Sequence, residues 1–302
     1  GAMLIAKRRF LFYGLSPVLY NLGIIGGTVL LAPQFGIMGV AAGTVVGAGF
    51  HFLARALDAF WSGFRFRAQF KFKTPEFKKT VKLMIPKMFG HPVELAMFWG
   101  FTIIASGLGA GAVAVMSFAR NFQSVPVSLM GITFSTTAFP VMAKAIADRS
   151  PEEFKKTLKN SFWLILGGSV SAAVITFFIR EPLIRLVLGG GALSEEAIAR
   201  TSDMLGVFVL AMPTESLRHL FARAFYATKN TAIPVALNIF GLGIAIGGGY
   251  LLAPRFGILA IPIAFSSASL AELVFLMLLL PRRIRKLPSS PQIDTEFDPH
   301  QP

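Results

Sequence analysis

At 302 residues, with 54% hydrophobic and only 15% charged side chains, the chain is too apolar for a water-soluble protein with an ordinary charged surface. A formal net charge of +14 would point to nucleic acid in a soluble protein, but here the cations sit in short loops between long uncharged runs. There are no cysteines, so disulfides are excluded.

Residues 10–50, 121–143, 160–179 and 230–254 carry no charged side chain. Each reaches the roughly 20 residues that a helix needs to cross about 30 Å of hydrocarbon. Glycine and proline inside them are tolerated in membrane helices, and the two-residue alternation of a membrane barrel is missing. Lys7-Arg8-Arg9 introduces a run long enough to span, which argues against a cleaved signal peptide. In chain order, spans are predicted near 10–32, 37–60, 80–106, 110–142, 160–187, 202–228, 231–253 and 257–281.

The loops alternate in Lys/Arg content, as hairpins across a bilayer should. Lys7, Arg8 and Arg9 precede the first span, and the Pro33 to Gly36 turn is uncharged. Arg65, Arg67, Lys71, Lys73, Lys78, Lys79 and Lys82 follow, then the uncharged stretch 106–111. The alternation continues to Arg282, Arg283, Arg285 and Lys286, which predicts a multi-pass protein of the bacterial inner membrane with both termini cytoplasmic. The expected organisation is the last two helices of an N-terminal lobe (1–62), a basic inter-lobe linker at the cytoplasmic surface (63–79), a six-helix C-terminal lobe (80–286) and a disordered cytoplasmic tail (287–302). Within the linker, Phe64 to Lys73 alternates apolar and basic residues. That pattern fits a segment lying against anionic membrane lipids rather than single-stranded nucleic acid.

An internal repeat joins the two ends. Pro17-Val18-Leu19-Tyr20-Asn21 with Leu30-Leu31-Ala32-Pro33-Gln34-Phe35-Gly36-Ile37 returns as Pro234-Val235-Ala236-Leu237-Asn238 with Leu251-Leu252-Ala253-Pro254-Arg255-Phe256-Gly257-Ile258. Both copies begin at a basic end, so the repeat is parallel, and repeated bundles are common in secondary transporters. If the lobes are equal, about four helices are absent from the front, supplied by the rest of a longer chain or by a partner.

Three stretches resemble the MurJ (MviN) family of the MATE-like transporter superfamily. They are Arg223-Ala224-Phe225-Tyr226-Ala227 with Thr231 and Pro234, Ala119-Arg120-Asn121-Phe122-Gln123-Ser124-Val125-Pro126 with Gly131 and Phe139-Pro140, and Leu83-Met84-Ile85-Pro86 with Gly90. The resemblance runs from about Arg8 to Leu280 and fits the family's fifth to twelfth helices. It implies an all-α polytopic membrane protein of about eight transmembrane helices, a MATE-like two-lobe bundle with an incomplete N-terminal lobe. It further implies flipping of lipid II, an undecaprenyl-pyrophosphate-linked precursor, by alternating access. The sequence departs from the family at two places: aligning on Pro126 puts Arg120 and Asn121 at the family's Asp-Arg, and Phe101 stands where some members have an acid, against sodium coupling.

Moving a pyrophosphate head group through hydrocarbon needs a cavity that replaces its water and neutralises its charge, and arginine's planar fork suits phosphate. Arg120 falls about ten residues, or about 15 Å, from the outer end of its predicted helix. It is the leading candidate, with Ser117, Asn121, Ser124 and Ser128 beside it on one helical face. Lys87, His91 and Glu94 form a second polar stripe at i, i+4 and i+7. That stripe either faces Arg120 across the cavity or supplies, in Glu94, a buried counter-ion for Lys87 or Arg120. Glu215, Arg218 and His219, at i, i+3 and i+4, read as a local ion-paired patch, and with Arg223 they are secondary candidates. Asn21 and Asn238 are expected to bond backbone between helices, and Glu272 has no evident partner. No nucleophile–base pair, metal-ligand spacing or phosphate-binding glycine motif is present, so neither an enzyme nor a cofactor is expected. The rival functions are export of a polysaccharide carrier lipid or cationic drug by a related transporter, and a truncated, non-transporting membrane scaffold.

Overall fold

The computed structural model describes residues 11–63, 74–191 and 193–285, with side chains omitted for Tyr13 and for most of 75–91, Lys87 and His91 among them. The basic alternation at 64–73 and the tail after Arg285 lie outside the described residues. All regular structure in the described residues is helical. Contacts divide the chain into two compact units, Gly1–Lys78 and Lys79–Pro302.

The first unit holds a helical hairpin. Its first helix, α1 (residues 11–35), runs through Leu11–Gly26, widens into a π turn at Gly27–Leu31 and closes in Ala32–Phe35. Its second, α2, spans Ile37–Trp61. Lipid tails are as apolar as leucine, so helices in a membrane gain little from hydrophobic association and rely on close packing of small residues. Here Gly23 and Gly27 of α1 meet Gly43 and Gly47 of α2, and a methyl group on Gly23, Gly27 or Gly43 would run into the partner backbone.

The second unit takes in most of α3 (Pro75–Ser106), then α4 (Ala112–Ala147), α5 (Pro151–Leu188), α6 (Glu195–Phe208 followed by Ala211–Ala227), α7 (Ala232–Phe256) and α8 (a 3-10 turn at Gly257–Leu259 leading into Ala260–Ile284). The eight predicted spans correspond to these eight helices. Length and apolar composition suit membrane crossing for α1, α2, α4, α5 and the α7–α8 run Ala232–Ile284, with the shorter Pro92–Ser106 within α3. Large apolar side chains such as Trp163, Phe178, Leu186 and Leu251 point outward, as lipid contact requires. By contrast, α6 carries charge along its length and is the most enclosed of the helices. Ser194 caps its start by accepting a hydrogen bond from the Ala197 N–H at 3.2 Å.

The sequence repeat folds into one recurring turn. Gly36, between α1 and α2, has φ 56° and ψ −137°. Gly257, between α7 and α8, has φ 55° and ψ −134°. This region is nearly closed to residues with a Cβ, which is why both copies keep glycine after the shared Ala-Pro-x-Phe. The repeat-related Asn21 does not bridge helices: its Nδ2 donates to the Pro17 carbonyl of its own helix at 3.0 Å.

Two apolar clusters fill the second unit. One gathers Phe101, Met116, Phe208 and Phe265; the other gathers Met142, Phe154, Leu220, Phe225 and Leu276. Along α6 the change from one to the other falls between Met212 and Leu217, and along α8 between Ala268 and Leu273. Glu215 and Glu272 occupy those two breaks, so a polar layer separates the clusters.

Candidate functional site

The polar layer is built from three helices. Pro126 has no N–H to continue the hydrogen bonding of α4, and the next turn opens into a π turn at Val127–Ile132. Gly131 within it lies flat on α6: a Cβ there would stand 2.6 Å from Ser216 Cα. This close approach sets Arg120 of α4 opposite Glu215 of α6.

Arg120 grips that carboxylate with both prongs of its fork, Nη1 at 3.0 Å from Oε2 and Nη2 at 2.8 Å from Oε1. Gln123, one turn further along α4, donates Nε2 to Glu215 Oε2 at 2.8 Å and accepts from Arg120 Nη1. The guanidinium also lies over the Phe265 ring, 4.3 Å from its centroid. Glu215 is enclosed, yet the Arg120 side chain remains 33% exposed. A second pair crosses from α6 to α8, where Arg218 Nη1 donates to Glu272 Oε2 at 2.6 Å. Arg223, a turn later, donates to Ser135 Oγ at 2.8 Å and to the His219 carbonyl at 3.3 Å.

These groups open onto a cleft of about 270 Å³ bounded by α3, α4, α6, α7 and α8. Arg120, Glu215, Arg218 and His219 line it with Glu94, Ser124, Ser128 and Asn238. Phe101, Phe208 and Phe265 form its apolar wall. A further cavity of about 400 Å³ shares Glu94, Arg218, His219 and Asn238 and adds Arg223 and Tyr226. Glu94 is exposed and, among the described residues, forms no ion pair.

The structure revises several expectations. Glu215 and Arg218 do not form a local patch: at three-residue spacing they reach different neighbours, Arg120 and Glu272. The counter-ion of Arg120 is Glu215, not Glu94. Glu272 has its partner in Arg218. On α4 the cleft wall follows Met116, Arg120, Ser124 and Ser128, while Ser117 and Asn121 lie about 100° around the helix. Ser117 Oγ is occupied by the Val113 carbonyl at 2.8 Å, and the Asn121 carbonyl accepts from Ser124 Oγ at 2.8 Å. Gln123, fully buried, escaped the sequence reading; its position one turn from Arg120 was the available signal. No cluster of three or more His, Asp or Glu able to hold a metal occurs among the described residues.

The helices that frame this cleft have the fold of MATE-like membrane transporter structures. The chain superposes on an inward-facing multidrug resistance MATE family transporter with a TM-score of 0.78, at 15% identity, covering 93% of this chain and 65% of that one. It superposes on an inward closed conformation of lipid II flippase MurJ with a TM-score of 0.77, at 21% identity, covering 94% and 60%. The chain belongs to the MurJ family: the family model described as lipid II flippase MurJ matches residues 1–296. A probable lipid II flippase MurJ of Aquifex aeolicus is 24% identical over 286 residues, which are 94% of this chain and 56% of the relative. The chain thus spans about half the length of the curated relatives it matches.

Proposed function

We propose that the chain forms part of a lipid II flippase of the bacterial inner membrane, with both termini cytoplasmic, and that its cleft receives the pyrophosphate of the undecaprenyl-linked precursor by alternating access. One observation carries this reading: a guanidinium already presented as a two-pronged donor, a third of it open to a cleft, among helices that cross the membrane.

An isolated arginine at mid-membrane costs roughly 2.5–3.5 kcal/mol on insertion scales. Glu215 offsets that cost in the unloaded state and holds the fork in the geometry that phosphate oxygens also prefer. Arriving pyrophosphate takes over one or both N–H donors, while Gln123 keeps Glu215 hydrogen-bonded. The described charges that line the cleft are balanced, Arg120 and Arg218 against Glu94 and Glu215, with Glu272 paired to Arg218 and Arg223 in the adjoining cavity. The cationic character needed for the substrate therefore arises locally, at the exposed edge of Arg120 and at Arg223, which has no carboxylate partner among the described residues. Lys87 and His91 precede Glu94 by two turns and one turn along α3.

The test is rescue of a flippase-depleted bacterium by the gene's full reading frame. Arg120→Ala abolishes rescue, and Arg120→Lys keeps part of it because the charge stays while the fork is lost. Full rescue by Arg120→Ala overturns the reading. A second reading, export of a cationic compound, draws on the exposed carboxylate of Glu94 in the same cleft. It expects Glu94→Gln to abolish transport and Arg120→Ala to spare it.

A further inference from the structure

The 400 Å³ cavity beside the cleft holds two charges that the binding of a pyrophosphate at Arg120 leaves unmatched. To its wall α3 contributes Glu94, α7 contributes Asn238, and α6 contributes Arg218, His219, Arg223 and Tyr226. Arg218 is committed to Glu272 at 2.6 Å. Arg223 meets no carboxylate: its Nη1 donates to two neutral acceptors, Ser135 Oγ at 2.8 Å and the His219 carbonyl at 3.3 Å. These hold the side chain in place without cancelling its charge. Its Nε and Nη2 find no acceptor among the described residues, and the half-buried side chain lines the cavity. Glu94, arriving from α3, has no ion pair among the described residues either.

An ionised group at membrane depth normally faces a partner or a water-filled space. Here a carboxylate and a guanidinium share one space without pairing, and the side chains of Asn238 and Tyr226 beside them make no hydrogen bond among the described residues. A simple cation would answer Glu94 and leave Arg223 charged; a simple anion would do the reverse. A ligand with one charge of each sign answers both. The volume lies within the range of about 300–1,000 Å³ usual for ligand pockets.

Position adds to this. Arg223 follows Glu215 by eight residues, two turns of α6, which is about 12 Å. A pyrophosphate held at Arg120 does not reach that far, but the remainder of its head group does. The cleft and the cavity share Glu94, Arg218, His219 and Asn238, so one ligand can occupy both.

We infer that this cavity receives a zwitterionic part of the substrate's head group, with an ammonium against Glu94 and a carboxylate against Arg223. The inference rests on the flippase reading above and names the part of the precursor held here: the peptide of lipid II, which carries a free amine and free carboxylates.

The test pairs changes in the ligand with changes in the protein. Purified full-length protein is equilibrated with lipid II, with lipid II acetylated at its peptide amine, and with lipid II amidated at its peptide carboxylates; retained lipid is read by native mass spectrometry. The parent should bind each modified form about tenfold more weakly, the lower end of what close charge pairs contribute across interfaces. Glu94→Gln should lose the discrimination against the acetylated form and keep that against the amidated one. Arg223→Gln should show the opposite pattern, so each variant reports on its own folding through the preference it keeps. Equal retention of all three lipids by the parent overturns the inference, as does a variant that keeps both preferences. The swap of Glu94→Arg with Arg223→Glu should bind lipid II no better than the single variants; recovery to the parent's level overturns the inference by showing that the two residues pair with each other. Undecaprenyl pyrophosphate, which has neither amine nor carboxylate, reports on the flippase reading separately. Its retention should fall with Arg120→Ala, and no fall would count against that reading whatever the peptide preferences show.

Discussion

Arg218 and Glu272 are 54 residues apart in the chain, yet a 2.6 Å hydrogen bond joins them and leaves the glutamate only 1% exposed. Gly241 of α7 makes this possible, because its missing side chain is where the Glu272 carboxylate rests. Three helices thereby agree on one polar contact, and the residue left unexplained in the sequence becomes the pin between α6 and α8.

Removing one end of a buried pair leaves the other charge uncompensated, a cost of about 3–5 kcal/mol, whereas replacing both ends with apolar groups of similar size is often neutral or better. Glu272→Leu should therefore lower the thermal midpoint of the purified protein sharply. The combination Arg218→Met with Glu272→Leu should recover most of the loss. A double variant as unstable as the single would mean that the pair is not what joins these helices.

Gly241→Ala places a methyl group against the Glu272 carboxylate and should destabilise by about 1–3 kcal/mol through overpacking. A double-mutant cycle isolates the cause. In a Glu272→Ala background the same glycine substitution should cost nearly nothing, because the carboxylate it displaces is gone. An equal cost in both backgrounds would place the strain elsewhere on α7.

The membrane helices were legible because a missing charge over 41 residues, from 10 to 50, has no other economical explanation in so apolar a chain. Arg120 was legible for the opposite reason: it is the single charge in the predicted span 110–142. Its partner was not, since Glu215 lies 95 residues away and helical spacing ties it more naturally to Arg218. Periodicity identifies the residues that share a face, but which helix that face meets is decided by packing, here through Gly131 against Ser216 and Gly241 against Glu272. Gln123 carries no charge to draw attention. The extra residue of the π turn at Val127–Ile132 also shifts the face of α4 beyond it, a local change that no spacing rule anticipates.

The repeated turn makes a prediction about paired positions. Gly36→Ala and Gly257→Ala each force a Cβ into a backbone region nearly exclusive to glycine, at a cost of about 1–3 kcal/mol. Nothing lies within 4 Å of a Cβ built on either residue, so the loss comes from backbone conformation alone and should be closely similar at the two sites. Thermal melts of the two variants check this. A loss at one site only would mean that the two turns are held by different contacts.

Gln123→Glu is the most pointed test of how the cleft handles charge. Gln123 is fully buried, spends its amide N–H on Glu215 and accepts from Arg120. The exchange is nearly isosteric, so the shape of the cleft should hold, but a second carboxylate arrives beside Glu215 within reach of the same guanidinium. One pH dependence follows from the electrostatics. Where the new acid is ionised, it shares Arg120 with Glu215 and weakens the fork's hold on any incoming phosphate; where low pH keeps it protonated, that competition is absent and transport survives. Lipid II movement, measured in reconstituted vesicles of the full-length protein, should therefore drop below that of the parent at neutral pH and recover as pH falls. Gln123→Met, which removes the hydrogen bond without adding charge, should cost about 1–3 kcal/mol of stability and reduce transport less. If Gln123→Glu transports lipid II as well as the parent across the pH range, the anion does not pass Arg120, and the cleft serves only to hold the helices together.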